Sequence, residues 1–283
     1  IKSNQSNRTT TIENRYNMAV ATRAATRAFV AAAAAIAAAA AAAAAAETKQ
    51  RHLKIDLVLE RKEKFPFRNR KKIDGLIKEF LEKFGYAAAA IAAAATKQRH
   101  LKIDSVLARK GKFPLRNRKK INVLIEEFLE KLSDDIHDMF FDTTYDADTY
   151  DIDGLDSDRD TEEEVETAIR FFPEVLSRTK TVYEGQLHYP IQALALAHDV
   201  HNQDFCISFI PIVARLAIEF DLFEEDERGG LLCLDSDGDN VLHLLMDTDD
   251  HQEQHEAVDD KYLQALIKLR QLDLLKKEDI QSY

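Results

Sequence analysis

The sequence predicts an all-α protein, and three observations carry that prediction. Eight Gly and five Pro are few for 283 residues. Apolar residues recur at i, i+3, i+4 and i+7, and no stretch keeps the period-two alternation of a half-buried strand. The expected order is a low-complexity segment with a poly-Ala helix over 1–47, a duplicated basic module over 48–132, an acidic linker over 133–160 and further helix pairs over 161–283. The alanine tract and the acidic runs leave a small core for a chain of this length. Cys206 and Cys233 both lie in apolar surroundings, which suits buried thiols in a reducing compartment better than a disulfide scaffold.

The chain begins at Ile1, and its first methionine is Met18. From Met18 it is rich in Arg, Thr and Ala and has no acid until Glu47, the composition of an organellar transit peptide. The uncharged run Phe29 to Ala46 sits at the lower length limit for a membrane span, but alanine gains little on leaving water. Alanine is also the best helix former, so an exposed helix without a docking face is expected and no membrane is favoured.

Charge divides the chain. Residues 1–132 hold 28 Lys and Arg against 12 Asp and Glu, whereas 133–283 hold 11 against 38, within an overall charge of −11. Either the halves attract each other, or the basic half meets a polyanion while the acidic half stays in solvent.

Thr48 to Lys72 returns almost unchanged as Thr96 to Lys120, and over 48–84 against 96–132 the two copies agree at 29 of 37 positions. Each copy predicts a helical hairpin around a Phe-Pro break. In the first, Ile55, Val58 and Leu59 precede the break, and Ile73, Leu76, Ile77, Phe80, Leu81 and Phe84 follow it at helical spacing; Ile103 to Leu132 repeat the pattern. Two such greasy sides can pack on each other. Arg68, Arg70, Lys71 and Lys72, matched by Arg116, Arg118, Lys119 and Lys120, fall at the start of each second helix. They are candidate anion-binding residues, for phosphate or for nuclear import, against a plain surface pairing with the acidic half. Their positive charge opposes the helix dipole there, which makes a partner anion more attractive. Base readout is not expected, because the break lacks the turn Gly of a helix-turn-helix and the face lacks base-reading side chains.

Ser133 to Glu166 is too acidic to fold alone and reads as a tether, with Met139, Phe140, Phe141, Tyr145 and Tyr150 as docking points. Calcium loops starting at Asp156 and at Asp235 both fail: Thr161 and Asn240 occupy the turn-Gly position, and Thr167 and Met246 the last ligand.

Beyond the linker, Thr161 with Glu164 has capping-box spacing and starts a helix that Pro173 breaks. A short helix at "HYPIQALALAHD" is followed by a longer one, with Phe205, Ile207, Phe209, Ile212, Val213, Leu216 and Phe220 inward. The order repeats with "SDGDNVLHLLMD" and then Tyr262, Leu263, Leu266, Ile267, Leu269 and Leu272. Gly238-Asp239-Asn240-Val241-Leu242-His243 resembles the G-x-T-P-L-H opening of ankyrin repeats, and Tyr189-Pro190-Ile191-Gln192 resembles it in an earlier copy. Pro190 and Val241 lie 51 positions apart rather than the usual ~33, so an insertion is implied. The stretch from Tyr145 to Tyr283 also resembles an expanded microalgal family of degenerate ankyrin-like proteins. The resemblance implies an ankyrin-like helical-repeat solenoid at the C-terminus and a protein partner bound without chemistry, with Tyr189, Pro190, Gly238, Asn240 and His243 as turn positions.

His198 and His201 beside Asp204, and His251 and His255 beside Asp250 and Glu256, have the spacing of metal-ligating pairs but read as surface histidines. No phosphate loop, dinucleotide glycine motif or activated nucleophile is visible, so neither an enzyme nor a cofactor is expected. The expectation is an intracellular protein, cytoplasmic or nuclear, that binds another protein. Binding of nucleic acid through the basic hairpins is the alternative.

Overall fold

The computed structural model describes residues 32–87, 96–142, 145–146, 151–152, 154–181, 186–196, 206–235, 237–246, 256–276 and 279, and most of them are helical. The chain divides into two compact units, Ile1–Leu53 and Lys54–Tyr283. Helix α1, Ala32–Glu60, is 29 residues long and, by length and composition alone, apolar enough to cross a membrane. Its alanines from 32 to 46 are exposed.

Within the second unit, both copies of the module take the course their sequence predicts up to their packing. Copy one has the end of α1, a 3-10 turn at Lys62–Lys64, and α2 at Phe67–Phe84. Copy two has α3 at Thr96–Ala108, a turn at Lys110–Lys112, and α4 at Leu115–Asp138. Pro66 and Pro114 hold the extended residue before each second helix, with ψ of 151° and 152°. Gly85 ends α2 in the left-handed region at φ 118°, where its N–H reaches the Leu81 and Glu82 carbonyls. The equivalent residue of copy two is Ser133, which carries no such stop, and α4 runs on to Asp138.

This extension corrects the boundary expected between 132 and 133, which falls inside a helix. The acidic segment that follows is no loose tether either. Met139, Phe140, Phe141 and Leu155 are buried in the same core as the module, as docking points. Tyr145 lies in a short strand paired antiparallel with Asp151–Ile152, while Tyr150 lies outside the described residues.

Helices α2 and α4 lie antiparallel and share a seam of Leu76, Phe80, Leu124 and Phe128. Lys83 pairs with Glu127 at 2.6 Å and Lys131 with Glu79 at 2.5 Å. These are the same two positions exchanged between copies, so an approximate two-fold relates the helices. Burying a Leu or Phe on such a seam contributes roughly 2 kcal/mol each, whereas the flanking ion pairs are about 40% exposed and screened by solvent. One expectation fails here. Helix α3 packs chiefly against α2 instead of doubling back on α4, so the two hairpins interleave. The buried stripe of α2, from Ile73 to Leu81, is wide enough to serve both neighbours.

Helix α5, Glu162–Phe171, starts at the expected capping box: the Thr161 hydroxyl accepts from the Glu164 N–H, and the Glu164 carboxylate accepts from the Thr161 N–H at 2.9 Å. Pro173 opens a 3-10 turn, Pro173–Ser177. There follow α6 (Pro190–Leu196), α7 (Ile210–Glu219), α8 (Val241–Met246) and α9 (Glu256–Gln271). The turn Pro173–Ser177 packs on α6 and α6 on α8, while α5 packs on α7 and α7 on α9. Two details differ from the pattern read in the sequence. Helix α7 begins at Ile210, after a separate 3-10 turn, because Pro211 lacks an N–H and fits only the first turn. In α9, among the described side chains, Ala265 and Leu269 are buried and Leu266 packs against the core, whereas Leu263 and Ile267, and Leu272 just past the helix end, are exposed.

Both cysteines are buried and reduced. Cys206 donates its S–H to the Leu155 carbonyl at 3.1 Å, and burial pushes both thiols up to about 12. Neither thiol is expected to react with a disulfide reagent at pH 8 in the folded chain, whereas two should react in denaturant. Spectrophotometric thiol titration reads this, and one fast thiol in the native state would refute the packing around it.

Candidate functional site

The two basic helix starts have the same sequence, RNRKK, and the same backbone at the preceding proline, but their surroundings differ completely. In copy one the acidic half closes over the cluster. The Phe67 N–H, an orphan donor of the first helical turn, donates to Asp160 Oδ1 at 2.8 Å, and the Asp160 side chain is fully buried. Arg68 donates to Asp142 at 2.9 Å and to Asp135 at 3.4 Å. The buried Asn69 amide donates to the other Asp135 oxygen at 2.9 Å, and Arg70 donates to Glu164 at 3.0 Å. Lys72 reaches within 3.9 Å of Asp135, and Lys71 lies 4.2 Å above the Phe67 ring. Burial works against the charge of Arg68, but Asp135 and Asp142 outweigh it and hold the guanidinium above its usual pKa.

In copy two the equivalent Arg116, Arg118, Lys119 and Lys120 are all exposed and have no hydrogen-bond or ion-pair partner among the described residues. Leu115, at the position of Phe67, is 61% exposed. Sequence explains the asymmetry. Asp135 and Asp142 follow copy two, and the residues 48 positions before them in the sequence are Ala87 and Ala94. Copy two also differs in its own acids, with Ala108, Gly111 and Asn122 where copy one has Glu60, Glu63 and Asp74, and Glu126 where copy one has Lys78. In copy one Asp74 neutralises the buried Lys62 at 2.6 Å.

The turn positions Tyr189, Pro190, Gly238, Asn240 and His243 form a second region. Asn240 caps α8: its Oδ1 accepts from the Leu242 and His243 N–H groups, and its own N–H donates to His243 Nδ1 at 3.3 Å. At the start of α6, the Tyr189 N–H donates in the same way to Gln192 Oε1 at 2.9 Å. Gln192, fully buried, then donates to the Cys233 carbonyl at 3.0 Å and ties the two turns together. Pro190 is the first residue of α6, and Gly238 takes φ 90° ahead of Asn240. Sequence reasoning marked these turns but missed the bond from Gln192, which only the side-by-side placement of the two segments reveals. Gln186 also bonds Asp237, and His188 lies 3.8 Å from Asp235, with burial holding the histidine below its usual pKa. On the outer side of these segments, Leu187 and Leu234 are 53% and 62% exposed.

The carboxylates of the two failed calcium loops have other work. Asp160 caps α2 and pairs with Arg159 at 3.0 Å, and Asp235 Oδ1 accepts from the Asp237 and Asp239 N–H groups. Among the described residues no three ligand-type side chains converge as a metal site would need. His198, His201, Asp204, Asp250, His251 and His255 lie outside the described residues.

No protein-family model matches this chain, and no curated protein or solved structure shows significant similarity to it.

Proposed function

We propose that the chain is a non-enzymatic protein-interaction module, in which 161–283 forms a short ankyrin-like array that binds a protein partner along its turn side. The observation that supports this most is the paired turn geometry. Tyr189 with Gln192 and Asn240 with His243 make the same N–H to side-chain bond at the start of a short helix, and those short helices pack on each other while the long helices α7 and α9 do likewise. A helix pair of this kind buries its apolar face only against a neighbour, which leaves the turn edge for binding. Leu187 and Leu234 give that edge two exposed apolar side chains in adjacent segments. The nucleic-acid reading has less to stand on, because Arg68 and Arg70 are already held by carboxylates of the same chain.

The test uses the full chain as bait, followed by binding measurements with each captured protein after purification. A partner that binds the purified chain and weakens about tenfold or more with Leu187→Asp and Leu234→Asp together, at unchanged melting temperature, supports the reading. Binding that survives that pair, or no protein that binds once purified, sinks it.

A further inference from the structure

We propose that the start of α4, with Leu115, Arg116, Asn117, Arg118, Lys119 and Lys120, is a docking site for an acidic peptide segment of a partner protein. The site is separate from the turn edge assigned to the array. The chain contains the same helix start twice, and copy one displays what it holds: Asp160 on the first free N–H, Asp135 and Asp142 on the first arginine, with Asp135 also taking the asparagine, and Glu164 on the second arginine. Asp160 and Glu164, two of those carboxylates, stand four residues apart on one short acidic stretch. Copy two repeats the side chains and the backbone angle at the proline, with its cations in solvent.

Three features select a peptide over a nucleic acid. The asparagine and the helix N–H are placed for compact carboxylates among the arginines, as their partners in copy one show. Leu115 offers an apolar contact beside the cations, which a peptide side chain can use and a phosphate backbone cannot. The acidic half of the chain, with 38 Asp and Glu, repels a long polyanion more than it repels a segment of a few carboxylates.

The probe is a synthetic peptide of the chain's own stretch 156–166, DSDRDTEEEVE, carrying a dye and titrated against the full-length protein by fluorescence anisotropy at low salt. Saturable one-to-one binding is expected, weakening about tenfold or more with Arg116→Gln and Arg118→Gln together. A similar loss is expected when the peptide carries Asn and Gln in place of the residues matching Asp160 and Glu164. Both substituted arginines are exposed, so the melting temperature should not move. No binding, or equal binding to the double variant, overturns the proposal. So does a single-stranded oligonucleotide of equal charge that binds the same arginines more tightly, which would make the site a nucleic-acid contact. The variants of the turn edge leave this site untouched, so the two readings fail separately.

Discussion

Asp135→Ala is expected to destabilise the second unit by about 3 kcal/mol, the cost of leaving a buried amide donor unsatisfied and weakening the neutralisation of a partly buried cation. Asp135 is 7% exposed and serves three groups of α2 at once: the Arg68 guanidinium, the Asn69 amide and, at longer range, Lys72. Truncation leaves the Asn69 donor unsatisfied in a fully buried position and takes from Arg68 one of the carboxylates that neutralise it. The neighbouring Asp134 supplies the control. It pairs with Arg178 at 2.8 Å, but both side chains are about half exposed, and Asp134→Ala should cost under about 1 kcal/mol. Thermal melting then separates the two, with a fall of roughly 6–12 °C for the first and little for the second. Equal falls would mean that the ion cluster at the start of α2 is solvated and contributes no more than a surface pair.

That contrast bears on what was legible beforehand. The apolar stripes of both copies, the proline breaks and the Thr161 cap are local patterns, and each appears in the structure at the expected residues. The attraction between a basic half and an acidic half was legible as charge, but not which basic cluster it would consume. That choice is made by residues outside the repeat, Asp135 and Asp142 after one copy and Ala87 and Ala94 after the other, and it acts only once α2 and α4 are antiparallel. The tether reading of 133–160 failed for a related reason. Composition counts carboxylates without knowing that Arg68, Arg70 and the α2 helix end will neutralise them, and a neutralised acidic segment can bury Phe140 and Leu155. In α9 the stripe was correct at Leu266 and Leu269 but too wide at Leu263 and Ile267, because a run of apolar residues does not say which flank has a neighbour.

Phe65→Ala should produce the largest loss of all, about 4 kcal/mol, and should exceed Phe113→Ala although the two residues are the same position of the duplicated sequence. Phe65 has no exposed surface and stacks at 5.3 Å on Phe171 at the end of α5, so its ring joins copy one to the acidic half. Its removal opens a cavity next to Pro66 and the N–H of Phe67, where the Asp160 cap is seated, and that site has little room to collapse. Phe113 is half-buried and meets Phe84 edge-on at 5.5 Å, within the module itself, and its loss should cost about 1–2 kcal/mol. Urea unfolding of the two variants reads the difference directly as a shift in midpoint at constant slope. If Phe113→Ala proves equal to or worse than Phe65→Ala, the acidic half does not pack on copy one as described, and the asymmetry that leaves Arg116 and Arg118 in solvent goes with it.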